Sequence, residues 1–158
     1  MKIYSKEKVN DVSRLVDKTR AEYEIVQGLN IDEIIKYHEF NENAIWKKSN
    51  GEEKEVCYHT MDLLEGVELL DFLNECNENE IQDDSFFRYI FLKIGNAIHQ
   101  LHKAGIAHRD IKLENIMITK DFEIKLIDFG YSFALAGRNE GGYMKSRVGT
   151  FMYMAPEV

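Results

Sequence analysis

The chain has 158 residues, 44% of them hydrophobic and 30% charged, enough apolar material for one domain with its own core and no sign of a second. Its net charge of -8 and pI near 5.2 exclude a nucleic-acid surface, because no Lys/Arg cluster stands clear of the carboxylates, and they favour a basic peptide as partner. Cys57 and Cys76 lack metal-ligand spacing, and no secretory signal or membrane-length apolar run occurs, so the expected setting is a reducing, cytoplasmic one with free thiols and no membrane.

The opening Met1-Lys2-Ile3-Tyr4 predicts a strand fragment running straight into a polar turn over 5–10, and a domain that begins this way reads as cut. From 12 to 29 the spacing is helical, with Val12, Leu15, Val16, Thr19, Val26 and Leu29 on one face and Asp11 available as a cap. Glu22 on this helix can also be an ordinary surface partner of Lys18 at i,i+4. Residues 34–40 predict a strand, and 44–48 with 56–62 a hairpin turning at Asn50-Gly51. The acidic run 75–84 predicts an exposed connection. Residues 85–103 predict the strongest helix, with Phe87, Phe91, Ile94, Ile98 and Leu101 as a buried stripe, Asp84 or Ser85 as cap and Gly105 as stop. His99 and His102 stand i,i+3 there, but no third ligand accompanies them and they are not read as a zinc site.

Between 108 and 130 the chain concentrates its chemistry. Ile116-Met117-Ile118 and Ile124 with Leu126-Ile127 are short apolar runs separated by a tight turn at Lys120-Asp121, which predicts loop, strand, turn, strand. That hairpin brings Asn115 and Asp128 to the same end, near Asp110. Oxygen donors of this kind suit Mg2+, which takes one or two protein ligands and completes its shell on phosphates and water.

His108-Arg109-Asp110 with Asn115, then Asp128-Phe129-Gly130, then Ala155-Pro156-Glu157 resemble, in order and spacing, the motif set of the eukaryotic protein kinases. Lys112 resembles the serine/threonine branch, and the set is most similar to the cAMP-dependent and calcium/calmodulin-dependent groups. The resemblance implies an α+β, two-lobed fold, here a partial domain: 1–61 a partial N-lobe, 62–67 a hinge, and 68–158 a partial C-lobe closing on Ala155-Pro156-Glu157. It implies transfer of the γ-phosphoryl group of ATP, with Mg2+, to Ser/Thr hydroxyls of a protein or peptide substrate.

The same resemblance implies roles. Asp110 would accept or orient the hydroxyl proton, Lys112 would neutralise the transferred group, and Asn115 and Asp128 would hold Mg2+. Lys2 would hold the α and β phosphates and pair with Glu22, while His108 would pack beneath Phe129. Met61 would be the gatekeeper, with the backbones of Asp62 and Leu64 turned to adenine. Glu68, Glu114 and Met117 would complete the nucleotide side, and Glu68 and Glu114 would favour basic residues before the acceptor. Residues 131–154 would form the activation segment, in which a phosphate on Ser146 pairs with Arg109 and Thr150 bonds to the catalytic aspartate. The pattern departs from the family in lacking a GxGxxG lid and in stopping one residue after Glu157. The expectation is therefore a fragment whose helix face over 87–101 is incompletely covered and whose stability is marginal. The alternative is a truncated, catalytically silent kinase-like module that binds nucleotide or a partner.

Overall fold

A computed structural model describes residues 1–7, 9–134 and 146–157. It is a mixed α+β arrangement of two compact units, Met1–Leu29 with Lys36–Leu63, and Asn30–Ile35 with Leu64–Val158.

The first unit contains β1 (Lys2–Ser5), α1 (Val12–Gln27), β2 (Tyr37–Lys47) and β3 (Glu53–Met61), the strands forming an antiparallel sheet in the order β1-β3-β2. As the central strand, β3 carries the buried residues Val56, Cys57 and His59. The two strands expected over 34–40 and 44–48 are one, β2, which begins only at Tyr37. Its continuity is hidden by the polar Asn41-Glu42-Asn43, where a register shift between Asn41 and Ala44 lets the strand bulge and resume pairing. The turn lies where Asn50-Gly51 predicted it, and Gly51 takes the positive φ of 84° that a side chain would resist.

Helix α1 starts as expected, because the Asp11 carboxylate accepts from the Arg14 N–H at 2.9 Å. It ends at Gln27, where the Gly28 N–H returns to the Val26 carbonyl. Thr19, Glu22 and Val26 are its buried residues and Leu15, Val16 and Leu29 are half-buried, so the inner face is the expected one except that Val12 in the first turn is exposed and a carboxylate, Glu22, is included.

The second unit contains β4 (Gly66–Glu68), α2 (Leu69–Glu78), α3 (Asp84–Lys103), β5 (Ile106–Ala107), β6 (Ile116–Thr119), β7 (Ile124–Leu126) and β8 (Phe133–Ala134). Single 3-10 turns lie at Leu113–Asn115 and Phe151–Tyr153. The strands form the sheets β4-β6-β7 and β5-β8. Gly66 is required where β4 meets β6, since a Cβ there would stand 2.2 Å from the Ile118 carbonyl oxygen.

The acidic run 75–84 is not simply a connection. Its first half belongs to α2, which buries Leu69 and Cys76 one heptad apart, and the polar residues between them mask that period. In α3 the cap is Asp83, one residue earlier than expected, accepting from Ser85 and Phe86 N–H groups. Two apolar stripes run along this helix. The fully buried residues are Ile90, Ala97 and Leu101; of the expected stripe Leu101 is buried, Phe87, Ile94 and Ile98 are half-buried, and Phe91 is 71% exposed. Residues 30–35 lie beside β7 through Leu126 N–H to Glu33 O (2.7 Å) and Ile35 N–H to Leu126 O (3.1 Å). Among the described residues no helix is long and apolar enough to cross a membrane, and Cys57 and Cys76 are free and buried.

Candidate active site

Asp110 sits in the loop between β5 and the Leu113–Asn115 turn, 8% exposed. Its Oδ1 accepts from the Thr150 hydroxyl at 2.7 Å, and its Oδ2 accepts from Asn115 Nδ2 at 2.9 Å with the Lys112 ammonium 3.5 Å away. Lys112 also donates to the Thr150 oxygen at 3.1 Å, closing the cluster. Burial pushes the Asp110 carboxyl up, but the Thr150 hydroxyl, the Lys112 charge and the Asn115 amide together outweigh it and hold the group below its ordinary value. Asp110 is therefore an anion at neutral pH.

Asn115 donates from the same Nδ2 to the Asp110 carbonyl at 2.9 Å, so its amide nitrogen is committed to Asp110 and its Oδ1 is the end left to accept or to ligate. The hairpin then does what its pattern predicts. Ile116 pairs with Leu126, and the Ile127 N–H donates to the Asn115 carbonyl at 2.9 Å, which sets Asn115 beside the residue preceding Asp128. Asp128 is exposed, adopts a φ of 56°, and accepts from the Gly130 N–H at 3.2 Å. A carboxylate and an amide oxygen are hard donors that fit Mg2+. Among the described residues no group of three or more His, Cys, Asp or Glu side chains is placed to hold a metal ion.

His108 accepts at Nδ1 from the Asp110 N–H (3.3 Å), which leaves Nε2 to donate to the Ile127 carbonyl (3.1 Å). The ring meets Phe129 edge-on at 4.7 Å, and Phe129 is 1% exposed. This doubly engaged imidazole holds the loop against the hairpin.

Arg109 is held at a φ of 67°, with Nε donating to the Tyr131 carbonyl (2.6 Å) and Nη1 to the Ser146 hydroxyl (2.8 Å). Gly149 closes the arrangement. At its φ of 116° a Cβ would stand 2.5 Å from the Arg109 carbonyl oxygen, so only glycine lets the chain pass and deliver Thr150 to Asp110. Of the expected activation segment, residues 135–145 lie outside the described residues.

In the first unit, Glu22 is 4% exposed. It accepts from Lys2 Nζ (3.3 Å), Tyr37 OH (3.0 Å) and Tyr4 OH (3.1 Å), and His59 Nε2 is 3.6 Å away. Burial first, and then the Glu22 charge, push the Tyr4 phenol far up, so it remains a donor. The surface reading of Glu22 is thereby replaced by an inward one. Its extra partners have a faint sequence signal: Lys2 and Tyr4 alternate on one face of β1, and β3 places His59 opposite Lys2.

The remaining expected residues are less engaged. Met61 is half-buried, and the Asp62 N–H is committed to the Lys36 carbonyl at 3.0 Å while its carboxylate meets His38 at 2.7 Å. Leu64 is half-buried. Glu68 is exposed on β4 and pairs in register with Met117 on β6. Glu114 accepts from the Tyr153 hydroxyl at 3.2 Å, a contact that spacing alone does not reveal.

The protein kinase domain family model matches residues 1–158. The chain is 31% identical over 161 residues to serine/threonine-protein kinase cds1 of Schizosaccharomyces pombe, covering 100% of this chain and 32% of that protein. It is 33% identical over 160 residues to probable serine/threonine-protein kinase fhkC of Dictyostelium discoideum, covering 100% of this chain and 24% of that one. It is 34% identical over 160 residues to serine/threonine-protein kinase RAD53 of Saccharomyces cerevisiae, covering 100% of this chain and 17% of the relative. The chain thus spans about a third or less of the length of these relatives. With the family model covering every residue and relatives at 30% identity or more along the whole chain, this chain belongs to the protein kinase family, and its relatives are serine/threonine kinases.

Proposed function

We propose that the chain supplies phosphoryl-transfer machinery of an intracellular serine/threonine protein kinase that uses ATP and Mg2+ on protein hydroxyls. The observation that carries this reading is the meeting of Lys112, Asn115 and an alcohol, that of Thr150, on the Asp110 carboxylate. A carboxylate that already accepts an alcohol O–H at 2.7 Å is suited to orient the hydroxyl of a substrate. Kept ionised by its donors, it works chiefly by alignment, because phosphoryl transfer is dominated by positioning and charge neutralisation. Lys112 offers a positive charge to the transferred group.

Asn115 and Asp128 are the residues we assign to Mg2+. When bound, the ion supplies charge neutralisation at the phosphate oxygens. Within the first unit, Lys2, paired with Glu22 at 3.3 Å, is the residue we assign to phosphate. With its N–H taken by Lys36, Asp62 would read adenine through its carbonyl, and Leu64 would offer its N–H. Glu68 and Glu114 suit a basic segment before the acceptor. Arg109, beside the Ser146 hydroxyl, is where a phosphate on that serine would be held.

The test is Mg-ATP thermal stabilisation followed by phosphorylation of a basic serine peptide. Saturating Mg-ATP at about 100 times Kd should stabilise the fold by about 2.7 kcal/mol. Asp110→Asn should keep that stabilisation and lose transfer. Stabilisation without transfer by the parent chain would favour a silent nucleotide-binding module instead.

A further inference from the structure

All three strands of the first unit converge on the carboxylate that α1 turns inward. Lys2 and Tyr4 stand on one face of β1, Tyr37 opens β2, and His59, paired in register with Lys2, comes from β3. The Tyr37 phenol donates to Glu22 Oε1 at 3.0 Å and the Tyr4 phenol to Oε2 at 3.1 Å, so each carboxylate oxygen has an uncharged donor of its own. Lys2 Nζ reaches Oε1 from further away, at 3.3 Å. The Tyr37 ring is buried and stacks on the fully enclosed His59 ring with 4.4 Å between centroids, which fixes the direction of its hydroxyl.

A buried carboxylate needs its lone pairs answered, and the identity of the donors decides what happens when one of them leaves. Were Lys2 the sole donor, drawing its ammonium onto a phosphate would strand the Glu22 charge in the interior. Two phenols change that outcome, because a hydrogen bond then persists on each oxygen. Lys2 is also the arm that an incoming anion can reach. Its side chain is 35% exposed against 4% for Glu22, and its ammonium lies toward the Tyr4 ring, 5.6 Å from the centroid.

We propose that Tyr4 and Tyr37 are positioning residues whose hydroxyls keep Glu22 turned inward whether or not Lys2 contacts it, so that the Lys2 ammonium can be shared with a nucleotide phosphate while α1 stays docked. Neither phenol touches the phosphate. They act through Glu22, by supplying the hydrogen bonds that the lysine would otherwise have to supply alone. The inference rests on the assignment of Lys2 to phosphate and deepens it, since it transfers the task of holding Glu22 from the lysine to the phenols.

The test compares Lys2→Met with the double variant Tyr4→Phe/Tyr37→Phe, which keeps both rings and removes only the hydroxyls. Two readouts are taken: amide exchange over residues 19–26 of α1 without ligand, and the ratio of ADP to adenosine affinity, which isolates the phosphate contribution. Lys2→Met should leave the exchange within about threefold of the parent, whereas the double variant should speed it about tenfold or more. The preference for ADP over adenosine should fall about tenfold in the double variant, because Glu22 then competes with phosphate for the lysine, and adenosine affinity should hold. Each single Tyr→Phe variant, with one phenol still on Glu22, should show a smaller change in both readouts. Equal acceleration of exchange in Lys2→Met and the double variant would overturn the proposal, since the lysine would then be what holds Glu22. So would an ADP preference that Lys2→Met lowers and the double variant leaves intact, which would confine the phenols to stability. An ADP preference absent from the parent, or surviving Lys2→Met, would overturn the phosphate assignment of Lys2 and this inference with it, a failure distinct from the other two.

Discussion

Each unit buries a carboxylate, and the two are held in different ways. Glu22, 4% exposed, is surrounded by Lys2 and Tyr4 from one strand, Tyr37 from another and His59 from a third, so regular sheet geometry fixes every partner. Asp110, 8% exposed, is held by loop residues, one of which, Thr150, lies 40 positions away and arrives only because Gly149 takes a φ of 116°. A carboxylate enclosed by strands is a rigid anchor. One whose partners sit on loops has ligands that can be exchanged, which is what a step involving an incoming alcohol requires.

The largest effect that can test this contrast is chemical. Asp110→Asn should lower phosphoryl transfer about 10³-fold while costing only about 1 kcal/mol of urea unfolding free energy, because the amide keeps one acceptor and loses the anion's pairing with Lys112 and Asn115. An activity loss matched by an equal loss of stability would make Asp110 another anchor. Glu22→Ala should act mainly on stability, removing about 2 kcal/mol from the urea unfolding free energy, since it deletes the buried acceptor shared by the Tyr4 and Tyr37 phenols and the half-exposed Lys2 ammonium.

Gly149→Ala comes next. The clash with the Arg109 carbonyl and the unfavourable φ should cost about 1–3 kcal/mol locally. It should appear as faster amide exchange around Arg109 and Thr150 with the first unit's exchange unchanged. Equal protection in parent and variant would show that Thr150 reaches Asp110 by another backbone path.

The smallest effect is in acid. Asp110 is held below its ordinary value, so its contribution to stability is fully present above the unfolded carboxyl pKa of about 3.9 and is lost as pH falls through the lower folded value. Asp110→Asn should therefore flatten the acid limb of the stability profile below about pH 4 and lower the plateau above it by the contribution that the carboxylate makes there. An unaltered acid limb would mean that Thr150, Lys112 and Asn115 do not favour the anion.

Local patterns determined much by themselves. The alternating runs around Lys120-Asp121 predicted the hairpin, Asp11 the start of α1 and Asn50-Gly51 the turn before β3, because each depends on neighbours within a few residues. The motifs around Asp110 and Asp128 were equally legible, since their spacing in the chain reflects a single loop and hairpin. Tertiary packing alone decided how deeply each apolar residue of α3 is buried: Ile90, Ala97 and Leu101 are enclosed while Phe91 faces out, and the choice depends on what lies against the helix. It also decided that Glu22 turns inward to two tyrosines and that Glu33 in 30–35 joins Lys93 of α3 at 3.3 Å. Contacts between residues far apart in the chain leave no period to read, so they follow from packing rather than from sequence spacing.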